Sequence, residues 1–353
     1  MTAAVPREGG RRALRAQRVP DATAPSVPDL GAVFAGRYRL LQPLGRRGTE
    51  GHVFRARDDI LARDVVLKVF PLEPAADSEP PRRLEGARVL AALDHPSLVT
   101  LYDAQLARDG RGYLVTEFID GPTLRERLDS EGPLPASSAA TLVEDLARGL
   151  AAVHAVGIVH HHLTSSHIVL RPVRHPNRPF VGILADFGVA HLLAGGAGTA
   201  VDDTVAEDED YLPPEQLRGD VPGAAADVYA LGLLAVEALT GESPVLGGEV
   251  QHVVLAPLDF DPVIPSRFGY GWEVLLTAMT DPDPDRRPSA AEVAAVAAEL
   301  REGTESRDGV LDPDAPLESE SEPVSALHAV AQSRESATRR RRPPIWAWVR
   351  HAR

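Results

Sequence analysis

The chain has 353 residues, 44% of them hydrophobic, and 51 Asp+Glu against 37 Lys+Arg give it a net charge of -14. That apolar share is enough for a sizeable core and excludes a disordered chain, while the acidic balance argues against a general nucleic-acid binder, which gains affinity from cations on phosphates. With no cysteine, a disulfide framework, a thiol nucleophile and a thiolate metal site are excluded too.

Residues 1–36 are rich in Arg, Ala and Pro without sustained periodicity and are expected to be disordered. Arg7, Arg11, Arg12, Arg15 and Arg18 are not followed by the apolar stretch of a secretory signal. No apolar run in the chain reaches the roughly 18 residues of a membrane helix, so a cytoplasmic protein is expected.

Strand-like runs follow at Arg39 to Leu44, His52 to Arg57, Val65 to Phe70, Leu98 to Tyr102 and Gly112 to Phe118. An Ala-rich helical pattern, Leu84 to Leu93, interrupts them. All but one of the basic residues are Arg, and the exception is Lys68, inside the apolar run Val65-Val66-Leu67-Lys68-Val69-Phe70. A compact ammonium on a flexible stem suits a narrow site beside phosphate oxygens better than a planar guanidinium does. Chance placement on a surface is the competing reading, and the apolar setting weakens it.

From about residue 136 the pattern is helical, with Leu142, Leu146, Leu150 and Val153 on one face. A pair of short strands is expected around Ile168 and Ile183, then a buried helix from Asp227 to Leu239. Ser289-x-x-Glu292 reads as a capping box opening a helix whose Val293, Val296, Ala297 and Leu300 share a face. Residues 303–353 form an acidic, Ser-rich tail ending in a basic and aromatic patch, again expected to be disordered. The fold class is α+β, a small antiparallel β lobe joined to a larger, mainly helical lobe.

Ordered landmarks now carry a family resemblance. They are Leu44-Gly45 with Gly48, Gly51 and Val53; Val65-Val66-Leu67-Lys68; Leu114 to Phe118; Gly157-Ile158-Val159-His160; Asp186-Phe187-Gly188; Pro213-Pro214-Glu215; Asp227 to Gly232; and Arg287-Pro288. The chain resembles the bacterial Ser/Thr protein kinases of eukaryotic type. The resemblance implies a bilobal kinase-like domain over residues 37–302, with a small lobe at about 37–117 and a large lobe at about 122–302. It also implies ATP or ADP as ligand and Mg²⁺ as its metal.

By the same resemblance, Gly45, Gly48, Gly51, Val53, Lys68, Glu117, Ile119 and Asp186 are the nucleotide-binding positions, and Asp186 is the metal ligand. Glu117 and Ile119 would hold adenine through their backbone, while Val66 narrows that pocket. The glycine-rich loop carries one extra residue, which puts Arg46 and Arg47 near the phosphates or simply in solvent. A lysine retained only to neutralise Asp186, with no ligand, is the structural alternative.

The catalytic loop departs from the family. Where kinases read H-R-D-L-K-P-x-N, this chain has His160-His161-His162-Leu163-Thr164-Ser165-Ser166-His167. His162 therefore occupies the catalytic-base position, Thr164 that of the phosphate-steadying lysine, and His167 that of the metal-binding asparagine. Loss of general-base assistance alone costs about 10²–10⁴ in rate, and Mg²⁺ prefers oxygen ligands to imidazole.

The glutamate that would pair with Lys68 falls on Gly86, with Glu85 one helical step, about 100°, away. A displaced or irregular segment is expected there, and Lys68 is expected to pair with Asp186 instead. Four histidines in eight residues raise a zinc reading, weighed against a core role for His160, divergence of neighbouring side chains and the want of supporting acids. Asp202, Asp203, Glu207, Asp208, Glu209 and Asp210 read as a solvated loop rather than as a fixed substitute for a phosphate, and Glu215 with Arg287 as a structural ion pair.

Arg339 to Arg350 is either a peripheral contact for an anionic surface or acidic partner, or an inert terminus. The reading that follows is a pseudokinase, a nucleotide-binding or partner-binding regulator in signalling. The alternative is an active Ser/Thr kinase, or another phosphoryl or nucleotidyl transferase using Lys68 and Asp186.

Overall fold

Successive side chains of a strand point to opposite faces of its sheet, which in the small lobe separates an outer core from the cleft side. The computed structural model describes residues 30–44, 52–71, 80–106, 111–175, 178–187, 209–242 and 266–308. β1 (Val33–Phe34), β2 (Tyr38–Pro43), β3 (His52–Asp58), β4 (Arg63–Pro71), β5 (Leu101–Leu106) and β6 (Arg111–Glu117) form one sheet in the order β1-β2-β3-β4-β6-β5. Every neighbouring pair is antiparallel. Val65, Leu67 and Val69 of β4 enter the outer core with Tyr38, Phe54 and Val115. Phe70, of opposite parity, packs into the large-lobe core, and Lys68 shares its side of the strand.

The large lobe is built on α3 (Ala136–Ala155) and α5 (Ala224–Thr240), after the short α2 (Leu124–Glu131). In α5 every residue from Ala226 to Leu239 is buried, so the helix is apolar on all sides except for Asp227 and Glu237. The hairpin of β7 (Ile168–His175) and β8 (Arg178–Leu184) lies at the lobe junction, followed in the chain by α4 (Pro214–Leu217), α6 (Tyr270–Met279) and α7 (Ala290–Asp308). At the junction a Cβ on Gly121 would stand 2.1 Å from the Leu170 carbonyl oxygen, so only glycine lets the chain pass there. The expected capping box opens α7: the Ser289 N–H donates to Glu292 Oε2 (2.7 Å) and the Glu292 N–H to Ser289 Oγ (3.3 Å).

Four expectations need correction. The disorder expected for residues 1–36 does not extend over β1, where Phe34 stands edge-on to Tyr113 at 5.3 Å; residues 1–29 lie outside the described residues. At the other end α7 runs past residue 302 to Asp308, with Arg301 bound to Glu144 of α3 at 2.9 Å. The strand expected at Leu98 to Tyr102 begins only at Leu101, because the preceding segment bonds to β8 instead: the Val99 N–H donates to Leu184 O (3.0 Å) and the Leu184 N–H to Ser97 O (2.9 Å).

The irregular helix expected around Gly86 is a continuous α-helix, α1 (Pro80–Ala91), which starts four residues earlier than its apolar pattern. Prolines fit its first turn, where no intrahelical N–H bond is lost. The Glu85 side chain falls outside the described part. Among the described residues no helix is long and apolar enough to cross a membrane.

Two ion pairs tie distant segments. Glu215 meets Arg287 through two bonds, Nη1 to Oε1 at 2.6 Å and Nη2 to Oε2 at 2.8 Å, with Arg287 also donating to the Asp281 and Ala225 carbonyls. Removing one charge of a buried pair strands the other, so Glu215→Gln is expected to destabilise the protein by about 3–5 kcal/mol in urea denaturation. In the small lobe, the Arg37 guanidinium holds the buried Asp58 carboxyl down at about 2, against the upward push of burial and with help from the Leu61 and Ile60 N–H groups. A lowered folded value means that this stability is complete above the ordinary carboxylate range and is lost as pH falls from about 4 to 2. Unfolding midpoints followed across that window should fall more steeply for the native chain than for Asp58→Asn.

Candidate functional site

The cleft is framed by β4, the end of β8 and the loop His160–His167. Lys68 Nζ donates to Asp186 Oδ1 at 2.7 Å and Oδ2 at 2.8 Å, the pairing expected from the sequence. Both side chains are largely buried, 11% and 22% exposed, so each charge compensates the other where water cannot. Burial pushes the Asp186 carboxyl up, but Lys68 and the nearby His167 outweigh it and bring it to about 2.

The loop is held from below by Asp227, the acid that opens the landmark Asp227 to Gly232 in an otherwise apolar helix. Asp227 Oδ2 accepts from the His160 N–H (2.8 Å) and Oδ1 from the His161 N–H (2.9 Å), while His154 Nε2 meets Oδ2 at 2.7 Å. The clamp holds strained backbone at His161, with φ 65°, and across the cleft Asp186 has φ 54°, conformations that cost on the order of 1–3 kcal/mol each. A second buried network lies under Ser165, whose Oγ donates to Glu237 Oε1 (3.0 Å) and meets the Tyr211 hydroxyl (3.1 Å). Tyr211 also bonds Glu237, and Arg125 Nη1 reaches the same carboxylate at 2.5 Å. Neither cluster was assigned a role from the sequence.

His160 is a core residue, as expected. Fully buried, it packs on Phe187 with ring centroids 4.6 Å apart. Its Nε2–H donates to the Ala185 carbonyl at 3.1 Å, and Nδ1 accepts from the His162 N–H at 3.4 Å. Burial lowers its pKa to about 4, consistent with the neutral ring that those two bonds require.

The expected divergence of the other imidazoles is corrected. His162 and His167 bring their rings to 4.5 Å, and His167 Nε2 lies 3.6 Å from Asp186 Oδ2. They converge because the turn Ser165–His167 folds the loop back on itself, the His167 N–H donating to Thr164 O at 3.1 Å.

Other sequence-identified positions are distributed around this centre. Val53 is the strand partner of Lys68, and Val66 that of Thr116. At the lobe junction the Glu117 N–H donates to Thr100 O (2.9 Å) and the Ile119 carbonyl accepts from Gly121 (3.1 Å). Gly45, Gly48 and Gly51, with Arg46 and Arg47, lie outside the described residues, as do Gly188, Asp202, Asp203, Glu207, Asp208 and the tail from Arg339 to Arg350.

The donors present do not fit the Mg²⁺ that the resemblance implies. That ion takes near-octahedral oxygen ligands, whereas here one carboxylate faces two imidazoles.

The Lys68–Asp186 pair is expected to contribute measurably to stability. Lys68→Met and Asp186→Asn are each expected to cost about 1–3 kcal/mol in urea denaturation. The double variant should cost less than the sum, by a coupling of about 0.5–3 kcal/mol.

With the geometry in hand, comparison with known proteins is direct. A family model for the protein kinase domain matches residues 38–297. Serine/threonine-protein kinase PknB of Mycobacterium leprae is 34% identical over 271 residues, 74% of this chain and 42% of that protein. PknB of Mycolicibacterium smegmatis is 33% identical over 316 residues, 86% of this chain and 48% of that protein. Serine/threonine-protein kinase PrkC of Bacillus subtilis is 30% identical over 272 residues, 74% of this chain and 40% of that protein. The chain thus spans less than half the length of these relatives. The match over 38–297, joined to the two-lobed fold and the Lys68–Asp186 cleft, means that the chain belongs to the protein kinase domain family.

Proposed function

We propose that this chain is a kinase-fold regulator that binds nucleotide or a protein partner in signalling and transfers phosphate poorly or not at all. The observation that carries the reading is the composition of the loop. His162, His167 and Thr164 stand where phosphoryl transfer uses a carboxylate, an amide oxygen and an ammonium. An imidazole at the base position lacks the fixed negative charge that orients a substrate hydroxyl. In this reading Lys68 contacts a phosphate once Asp186 releases it, and Val53, Glu117 and Ile119 border the adenine.

A second reading has a specific observation in its favour. The curated relatives are named serine/threonine-protein kinases, and by that likeness the chain would be an active kinase acting on protein hydroxyls, with His162 as base.

Radiolabelled ATP incubated with the purified full chain separates the two. The regulator reading expects no label on the chain or on a generic protein acceptor above the level of Lys68→Met and Asp186→Asn, together with a rise in melting temperature in millimolar ATP that is the same with Mg²⁺ or EDTA. Transfer that both substitutions abolish would establish the kinase reading instead.

A further inference from the structure

The cleft contains a donor set that neither reading of phosphoryl transfer explains. His162, His167 and Asp186 each offer one ligand atom, and these atoms all lie within 4.8 Å of one another. Donors on a tetrahedral zinc ion, each about 2.0–2.1 Å from the metal, sit roughly 3.4 Å apart. His167 Nε2 and Asp186 Oδ2, at 3.6 Å, are already near that separation. His162, whose ring is half-buried, has to close by at most about 1.4 Å to reach that separation.

The ring of His167 is oriented for such a role. Its Nδ1 is 3.1 Å from the His162 carbonyl and 3.2 Å from Thr164 Oγ1. A carbonyl only accepts, so the proton is on Nδ1 and the Nε2 edge is turned toward Asp186. Imidazoles that bind metals are commonly fixed in this way, by a bond from the other ring nitrogen to a carbonyl. The two segments that supply the donors are fastened to each other as well, the Ala185 N–H donating to His167 O at 3.0 Å. Asp186 retains enough acceptor capacity to ligate through Oδ2 while Oδ1 keeps Lys68, since a carboxylate offers about four lone-pair sites.

We propose that His162, His167 and Asp186 form a binding site for a borderline divalent metal, Zn²⁺, in place of an oxygen-ligated Mg²⁺. Two imidazoles and one carboxylate suit zinc and leave its fourth position to water. The inference does not rest on the proposed function, because the site is assembled whether or not phosphate is transferred.

The test is calorimetric titration of the untagged, metal-stripped full chain with zinc sulfate and, separately, with magnesium chloride. The expected result is one saturable zinc site per chain and no saturable magnesium site. Zinc affinity should fall by about tenfold or more in His162→Ala and His167→Ala and stay unchanged in His175→Ala. His167→Asn, which keeps a polar side chain in place, should weaken zinc likewise while circular dichroism shows the fold retained. In the unmutated chain, zinc should shift the imidazole ¹⁵N resonances of both His162 and His167, a readout that needs no variant. Absence of saturable zinc binding, or binding that leaves both rings unshifted, overturns the proposal.

Discussion

A single ammonium in an apolar strand and a single carboxylate in a tight, left-handed stretch of backbone organise this molecule. Lys68 and Asp186 are 118 residues apart in sequence and in direct contact through two hydrogen bonds. Either charge alone, so far removed from water, would carry a desolvation cost of several kcal/mol, and together they offset it. The pair also joins the lobes: β4 brings the lysine to the cleft by its alternation, and the end of β8 brings the aspartate. The nucleotide reading and the metal reading both draw on this carboxylate, so both depend on how Asp186 divides its oxygens.

Around that pair lies the frame of a protein kinase domain, with imidazoles close to the carboxylate. Asp227 holds two consecutive loop N–H groups, and Ser165, Tyr211, Glu237 and Arg125 support the loop from the large lobe. On this frame the carboxylate, ammonium and amide of phosphoryl transfer give way to imidazole, hydroxyl and imidazole. The clamped frame holds the rings of His162 and His167 together beside Asp186. The proposed preference for zinc over magnesium follows from ligand hardness, since imidazole suits zinc and magnesium takes oxygen.

The elements legible in the sequence were those fixed by local periodicity. The short apolar run Val65 to Phe70 marked β4, and the unbroken apolar run after Asp227 marked α5. Ser289 and Glu292 marked the start of α7. Where local signals failed, distant partners had decided the outcome. Leu98 to Tyr102 has strand composition, yet its first residues bond to Leu184 and the ladder starts late. Val33 and Phe34 have no periodicity of their own and become a strand because Arg39 and Tyr38 offer a partner edge. The offset of Glu85 from the family's position suggested an irregular helix, but α1 runs through Gly86 unbroken, since one glycine costs a helix only about 1 kcal/mol.

At the site the division is similar. The sequence by itself determined which groups are available: one lysine, the acid before Phe187, and histidines where acid and amide belong. It also determined the family frame and the Lys68–Asp186 pairing, because an unpaired charge at either position is too costly to bury. Only the tertiary structure decided that His160 turns inward while His162 and His167 converge on Asp186. Ring direction depends on the turn at Ser165–His167, on the Asp227 clamp and on the carbonyl that binds Nδ1, contacts that bring residues from separate segments together and leave no pattern along the chain.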